Sequence, residues 1–118
     1  MLLDSVILID YLNALPEAVA FVDEIPGCVI SVITMAEVLA GTDEAGFAAT
    51  AAFLRSFPVF SINGVIAEKA GRLRREEPWK LPDALQAAVA QHYSWPLVTR
   101  NTKDFPPERY DFVLVPYR

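Results

Sequence analysis

Short apolar runs and longer stretches of helical periodicity follow one another along this chain. The opening MLLD reads as a brief buried strand, and VILIDYLNAL behind it reads as a helix that ends near Pro16. Pro16 suits the first position of a second helix, PEAVAFVDEI, where its missing N–H has no partner to lose. CVISV is β-branched and predicts a strand. TMAEVLAG predicts a helix with Thr34 as N-cap and Gly41 at its C-terminal end. EAGFAATAAFLRSF continues helically, and VFSI is a candidate third strand. GVIAEKAGRLRRE is an amphipathic helix, PDALQAAVAQHY a helix with Pro82 at its first position, and PLVTR and FVLVP are strands. Strands alternating with helices predict an α/β fold with a mainly parallel sheet, in one domain over residues 1–118.

In parallel sheets of this kind, ligands sit beyond the carboxyl ends of the strands. Asp4 lies where the first strand ends, between Leu3 and Val6, and Ser5 is its one local candidate partner. An unpartnered buried carboxylate costs several kcal/mol or takes up a proton. Three more acids fall on the same predicted rim. Glu37 lies early in the helix after CVISV, Asp83 early in PDALQAAVAQ, and Asp104 in the loop NTKDF after PLVTR. Each has a local explanation. Thr34 and Glu37 have capping-box spacing, Asp83 can answer a helix dipole, and Asp104 can be a turn residue. Together, four carboxylates repel one another, and a dication relieves that repulsion. Oxygen-only ligands without His or Cys favour Mg²⁺ or Mn²⁺. Such an ion acidifies a bound water and holds a phosphodiester for in-line attack. Asp10, six positions from Asp4, is expected on the exposed side of its helix. His92, late in its helix, is expected to be structural or exposed.

Composition sharpens this picture. Hydrophobic residues make up 53% of the 118, enough for a packed core and too many for a disordered chain. No apolar run reaches the roughly 20 residues of a membrane span, and Asp4 interrupts the first run before it could serve as a signal peptide. The one cysteine, Cys28, excludes an internal disulfide and is expected on a core strand. A cytoplasmic protein without membrane contact is the expectation. The net charge of −5 argues against binding nucleic acid by bulk charge. The charge is uneven, however: residues 69–103 carry a net +4 and the remainder −9. That basic segment can hold phosphates flanking an ion-bridged pocket. Tyr11, Trp79, Trp95 and Phe105 could stack bases, although burial is the commoner fate of such rings.

The stretches LLDSVILIDYL, ISVITMAEVLAG, LPDALQAAVA and LVTRNTKDF, in this order and spacing, resemble the PIN-domain ribonucleases, and among them the VapC-type toxins of toxin–antitoxin pairs. The likeness covers essentially the whole chain. It implies a three-layer α/β/α fold and metal-dependent endonucleolytic cleavage of RNA, with Mg²⁺ or Mn²⁺ held at positions matching Asp4, Glu37, Asp83 and Asp104. It implies supporting roles for Ser5 and Asn101. By charge and position, Arg100 and Lys103 are candidates for RNA backbone contact, together with the Arg72–Arg75 face. The likeness further implies a homodimer and a cognate antitoxin that covers the pocket. Three positions depart from the pattern. Val6 stands where a polar residue is common, and Gln86 and Val89 stand where an aliphatic residue and a threonine are usual; the latter pair is expected to affect packing more than chemistry. The main rival is a catalytically weak PIN-fold binding protein acting through its dimer or partner surface. An aspartyl phosphatase would need Asp-x-Asp after the first strand, which DSV lacks; a receiver domain would need paired early acids. A structure-specific DNA nuclease is chemically close but carries extra elements for which this length leaves little room.

Overall fold

The computed structural model describes all residues, 1–118. Five two-residue strands, β1 (Leu2–Leu3), β2 (Ile30–Ser31), β3 (Val59–Phe60), β4 (Leu97–Val98) and β5 (Val113–Leu114), are all paired in parallel. β1, β4 and β5 form one ladder and β2 and β3 another. A parallel bridge between Leu2 and Val29 joins the two ladders beside β1. There the Leu3 N–H donates to the Val29 carbonyl and the Val29 N–H to the Met1 carbonyl, each at 2.9 Å. The spatial order is therefore β3–β2–β1–β4–β5. The chain builds outward from β1 on one side, then crosses back to place β4 on the other. The crevice above β1 and β4 is the topological switch point of the sheet.

Six helices cover the sheet: α1 (Ser5–Leu12), α2 (Pro16–Glu24), α3 (Val32–Ala40), α4 (Glu44–Arg55), α5 (Gly64–Glu76) and α6 (Leu81–Tyr93). The pleat sorts neighbouring strand residues onto opposite faces. Leu2 and Leu97 join a core with Ile66 and Ala70 of α5, the α6 alanines, Trp79 and Phe105. Leu3 and Val98 join a second core with Ile7 and Leu8 of α1, Val38 of α3 and Leu54 of α4. Both faces of the sheet are thus buried, and the layers are α/β/α. This is why the strands read as continuous apolar runs without alternation. No single helix is long and apolar enough to cross a membrane.

The predicted elements are all present, with corrected ends. α3 begins two residues before Thr34: the true N-cap is Ser31, whose Oγ accepts from the N–H groups of Ile33 and Thr34. Thr34 is consequently inside the helix and its hydroxyl donates to the Leu3 carbonyl at 3.0 Å. The capping-box explanation of Glu37 thereby lapses. CVISV yields only two ladder residues because Ser31 already turns the chain into α3. α1 stops well before Pro16, at an Asn13 cap followed by Ala14 in the left-handed region at φ 60°. Cys28 is half-buried beside β2, packed against the second core.

Candidate active site

The pocket is assembled from four element ends. Asp4 leaves β1 and caps α1, its Oδ1 accepting the Ser5 N–H at 2.9 Å. Its Oδ2 accepts the Thr99 hydroxyl at 2.7 Å, from the end of β4. The Gln86 amide of α6 approaches Oδ1 at 3.3 Å. Asp4 is 7% exposed, so these donors are what make an acid tolerable there. Ser5 was the only partner legible in the sequence; Thr99 and Gln86 are 95 and 82 residues away along the chain.

Asp83 stands in the first turn of α6, half-buried. Burial, and then the charges of Asp104, Asp4 and Glu37, push its pKa up to about 6, against a smaller opposing pull from Lys80. The charges of the three other acids thus all reach this one carboxylate. Glu37 is the most open of them, on the second turn of α3. Its pKa is also raised, by loss of hydration first and by Asp4 second, while a hydrogen bond from Ser5 works in the opposite direction. Asp104 is held by Asn101, whose Nδ2 donates to Oδ2 at 3.0 Å, and whose Oδ1 accepts the Asp104 N–H at 3.3 Å. The Asn101 N–H in turn donates to the Thr99 hydroxyl at 3.0 Å. Trp79, just before α6, donates its indole N–H to the Asp104 carbonyl at 2.7 Å. The loop that carries Asp104 is therefore tied to the segment that leads into α6. Trp79 and Phe105 are fully buried at 1% and 0% exposure, so neither ring is free to stack a base.

No three acidic side chains stand close enough to enclose an ion ready-made. The donor set is nevertheless all oxygen and mutually repelling, and it fits a hard dication in kind.

Several expectations require correction. Asp10 is not on the exposed side of α1; it is 8% exposed and takes the Arg100 guanidinium in a two-point ion pair, Nε–Oδ2 at 2.7 Å and Nη2–Oδ1 at 3.0 Å. The Tyr117 hydroxyl donates to the same carboxylate at 2.9 Å. The Arg100 bond, with smaller help from Tyr117, holds the Asp10 pKa below its usual value. Arg100 is thus engaged with Asp10, whereas Lys103 is exposed and unpaired. Gln86 is not a packing substitute but part of the polar floor of the pocket. Val6 is half-buried against the second core. His92 is exposed.

The family model for the PIN domain matches residues 1–111. The chain belongs to the PIN-domain family. Among solved structures, this PIN domain is similar to a toxin–antitoxin complex from Klebsiella pneumoniae, with 38% identity and a TM-score of 0.90 over 99% of this chain and 98% of that one. It shares the fold of VapBC2 from Rickettsia felis bound to a promoter DNA fragment, at 21% identity and a TM-score of 0.75 over 96% of this chain and 94% of that one. It shares it also with FitAcB from Neisseria gonorrhoeae, at 21% identity and a TM-score of 0.77 over 98% and 96%. A comparison with curated protein sequences gives no match.

Proposed function

We propose that this PIN domain is a metal-dependent endoribonuclease and the VapC-type toxin of a toxin–antitoxin pair. The observation that carries the reading is the electrostatic convergence of Asp4, Glu37, Asp83 and Asp104 above the switch point, registered in the raised Asp83 pKa. Membership of the PIN family supports a hydrolase acting on nucleic acid, and the Klebsiella complex supports an antitoxin partner. Asp4, Asp83 and Asp104 would hold Mg²⁺ or Mn²⁺, directly or through water, with Glu37 completing the pocket. When bound, such an ion would supply an acidified water and neutralise the phosphate. The chain's own part is to orient. Thr99, Ser5 and Gln86 fix Asp4, Asn101 fixes Asp104, and Glu37, the most open acid, would accept a water proton.

RNA would be held from the same end of the molecule. The C-terminal part of α5 carries Arg72, Arg74 and Arg75 and leads through Trp79 and Lys80 into the start of α6, and the Lys80 charge reaches Asp83. Lys103 adds a further exposed cation beside Asp104. A cleft of about 400 Å³ between α1, α3 and α4, lined by Ile9, Leu12 and Val38 together with Asn13, Thr42 and Thr50, offers a protein partner a foothold of mixed polarity. A homodimer in the cytoplasm completes this reading.

The test is cleavage of RNA by the purified protein with Mn²⁺, with EDTA, and with Asp4→Asn. Activity that depends on Mn²⁺ and disappears in the folded Asp4→Asn protein is expected. Cutting at the wild-type rate by Asp4→Asn would overturn the site.

A further inference from the structure

Gln86 is 1% exposed and uses its whole amide. Its Oε1 accepts from the Ser31 hydroxyl at 2.6 Å, and its Nε2 reaches the Thr34 hydroxyl oxygen at 2.6 Å as well as Asp4 Oδ1 at 3.3 Å. The orientation of that amide is fixed by its neighbours rather than chosen. Ser31 Oγ already accepts two backbone N–H groups, so its proton goes to the Gln86 oxygen. The Thr34 proton goes to the Leu3 carbonyl, so its oxygen accepts from the Gln86 nitrogen. The remaining Nε2 hydrogen is left for Asp4. Thr99 is constrained in the same way: it accepts the Asn101 N–H and therefore donates to Asp4 Oδ2. Asp4 thus faces three committed donors, the Ser5 N–H, the Gln86 amide and the Thr99 hydroxyl, and no acceptor.

We propose that Gln86 is a positioning residue of this pocket. It clamps the Asp4 carboxylate in one orientation as an acceptor, and does so by relaying the N-cap of α3 through α6. Of the four lone-pair sites of the Asp4 carboxylate, the clamp leaves one, on Oδ2, free for a ligand. An aliphatic side chain at this position would leave Asp4 one donor short and the Ser31 hydroxyl without its acceptor. The inference rests on the metal-site reading above, and the experiment separates the two.

Mn²⁺ affinity is measured by calorimetry for the wild type, Asp4→Asn, Gln86→Met (similar shape, no donor) and Gln86→Glu (same shape, donors replaced by acceptors), with thermal unfolding of each apo-protein alongside. The wild type is expected to bind, Asp4→Asn to lose binding, and both Gln86 variants to bind about tenfold or more weakly. A folded Gln86→Met protein with wild-type Mn²⁺ affinity overturns the positioning role and leaves the metal site standing. Failure of the wild type to bind Mn²⁺ overturns both. A second readout needs no variant: the Gln86 side-chain amide resonance of the wild type is followed during Mg²⁺ titration. It is expected to shift on saturation, and an unmoved amide at saturating Mg²⁺ overturns the proposal.

Discussion

At the scale of single residues, the four acids divide into two kinds. Asp4 is enclosed and met by three donors, whereas Asp83 is half-buried among like charges that raise its pKa. A carboxyl whose folded pKa lies above its unfolded value binds its proton more tightly in the native state. Its effect on stability is therefore least harmful below pH about 4 and worsens as pH rises towards about 6. Asp83→Asn is expected to raise the melting temperature of the apo-protein at pH 7, to flatten its fall between pH 4 and 6, and to abolish cleavage; thermal unfolding across that range checks the first two. The acids themselves were legible in the sequence, because charge in an apolar neighbourhood is conspicuous. Their neutral supporters were not. Thr99 and Gln86 look like ordinary strand and helix residues, and only the fold brings them across more than 80 positions to Asp4.

Among elements, the decisive features are the ends. Helix periodicity located the bodies of α1 to α6, but Ser31 and Thr34 are both plausible caps, and the choice between them fixes where α3 begins and what Glu37 does. Asp10 was misjudged because helical spacing relative to Asp4 says nothing of a partner arriving from another part of the chain. That partner set joins three elements: α1 through Asp10, the loop after β4 through Arg100, and the C-terminal segment through Tyr117. Arg100 immediately follows Thr99, so the clasp also steadies one of Asp4's donors. Because Arg100 is 41% exposed, it can return to water when its partner is removed. Asp10→Ala is expected to cost about 1–3 kcal/mol in denaturant unfolding, short of the loss for a fully buried pair. The depressed Asp10 pKa adds stability above its unfolded value near 4 that is lost as pH falls below it, and acid unfolding of Asp10→Ala is expected to lack that component.

For the molecule as a whole, the parallel sheet and its two cores follow from a few apolar pairs such as Leu2–Leu3 and Leu97–Val98, each split by the pleat between the two faces. The overall architecture was legible for this reason, and the ordered motifs made the family legible too. Charge is distributed on the same scale. An acidic molecule that would bind a polyanion has to do so locally, and the bases of residues 69–103 provide the place. Arg72→Ala with Arg75→Ala is expected to weaken RNA binding and to reduce the slope of log affinity against log salt by up to about 2, with no change in melting temperature beyond about 1 °C. Filter binding at several salt concentrations measures this. The bond from Trp79 to Asp104 carries a consequence of a different sort. Of the two indoles in the chain, one is sealed against a residue of the rim and the other, Trp95, is half-exposed at the far end of α6. With Trp95→Phe, the remaining emitter becomes a built-in optical gauge of the rim, and a change in its fluorescence on adding Mg²⁺ would report, without dye or label, how far that wall of the pocket moves.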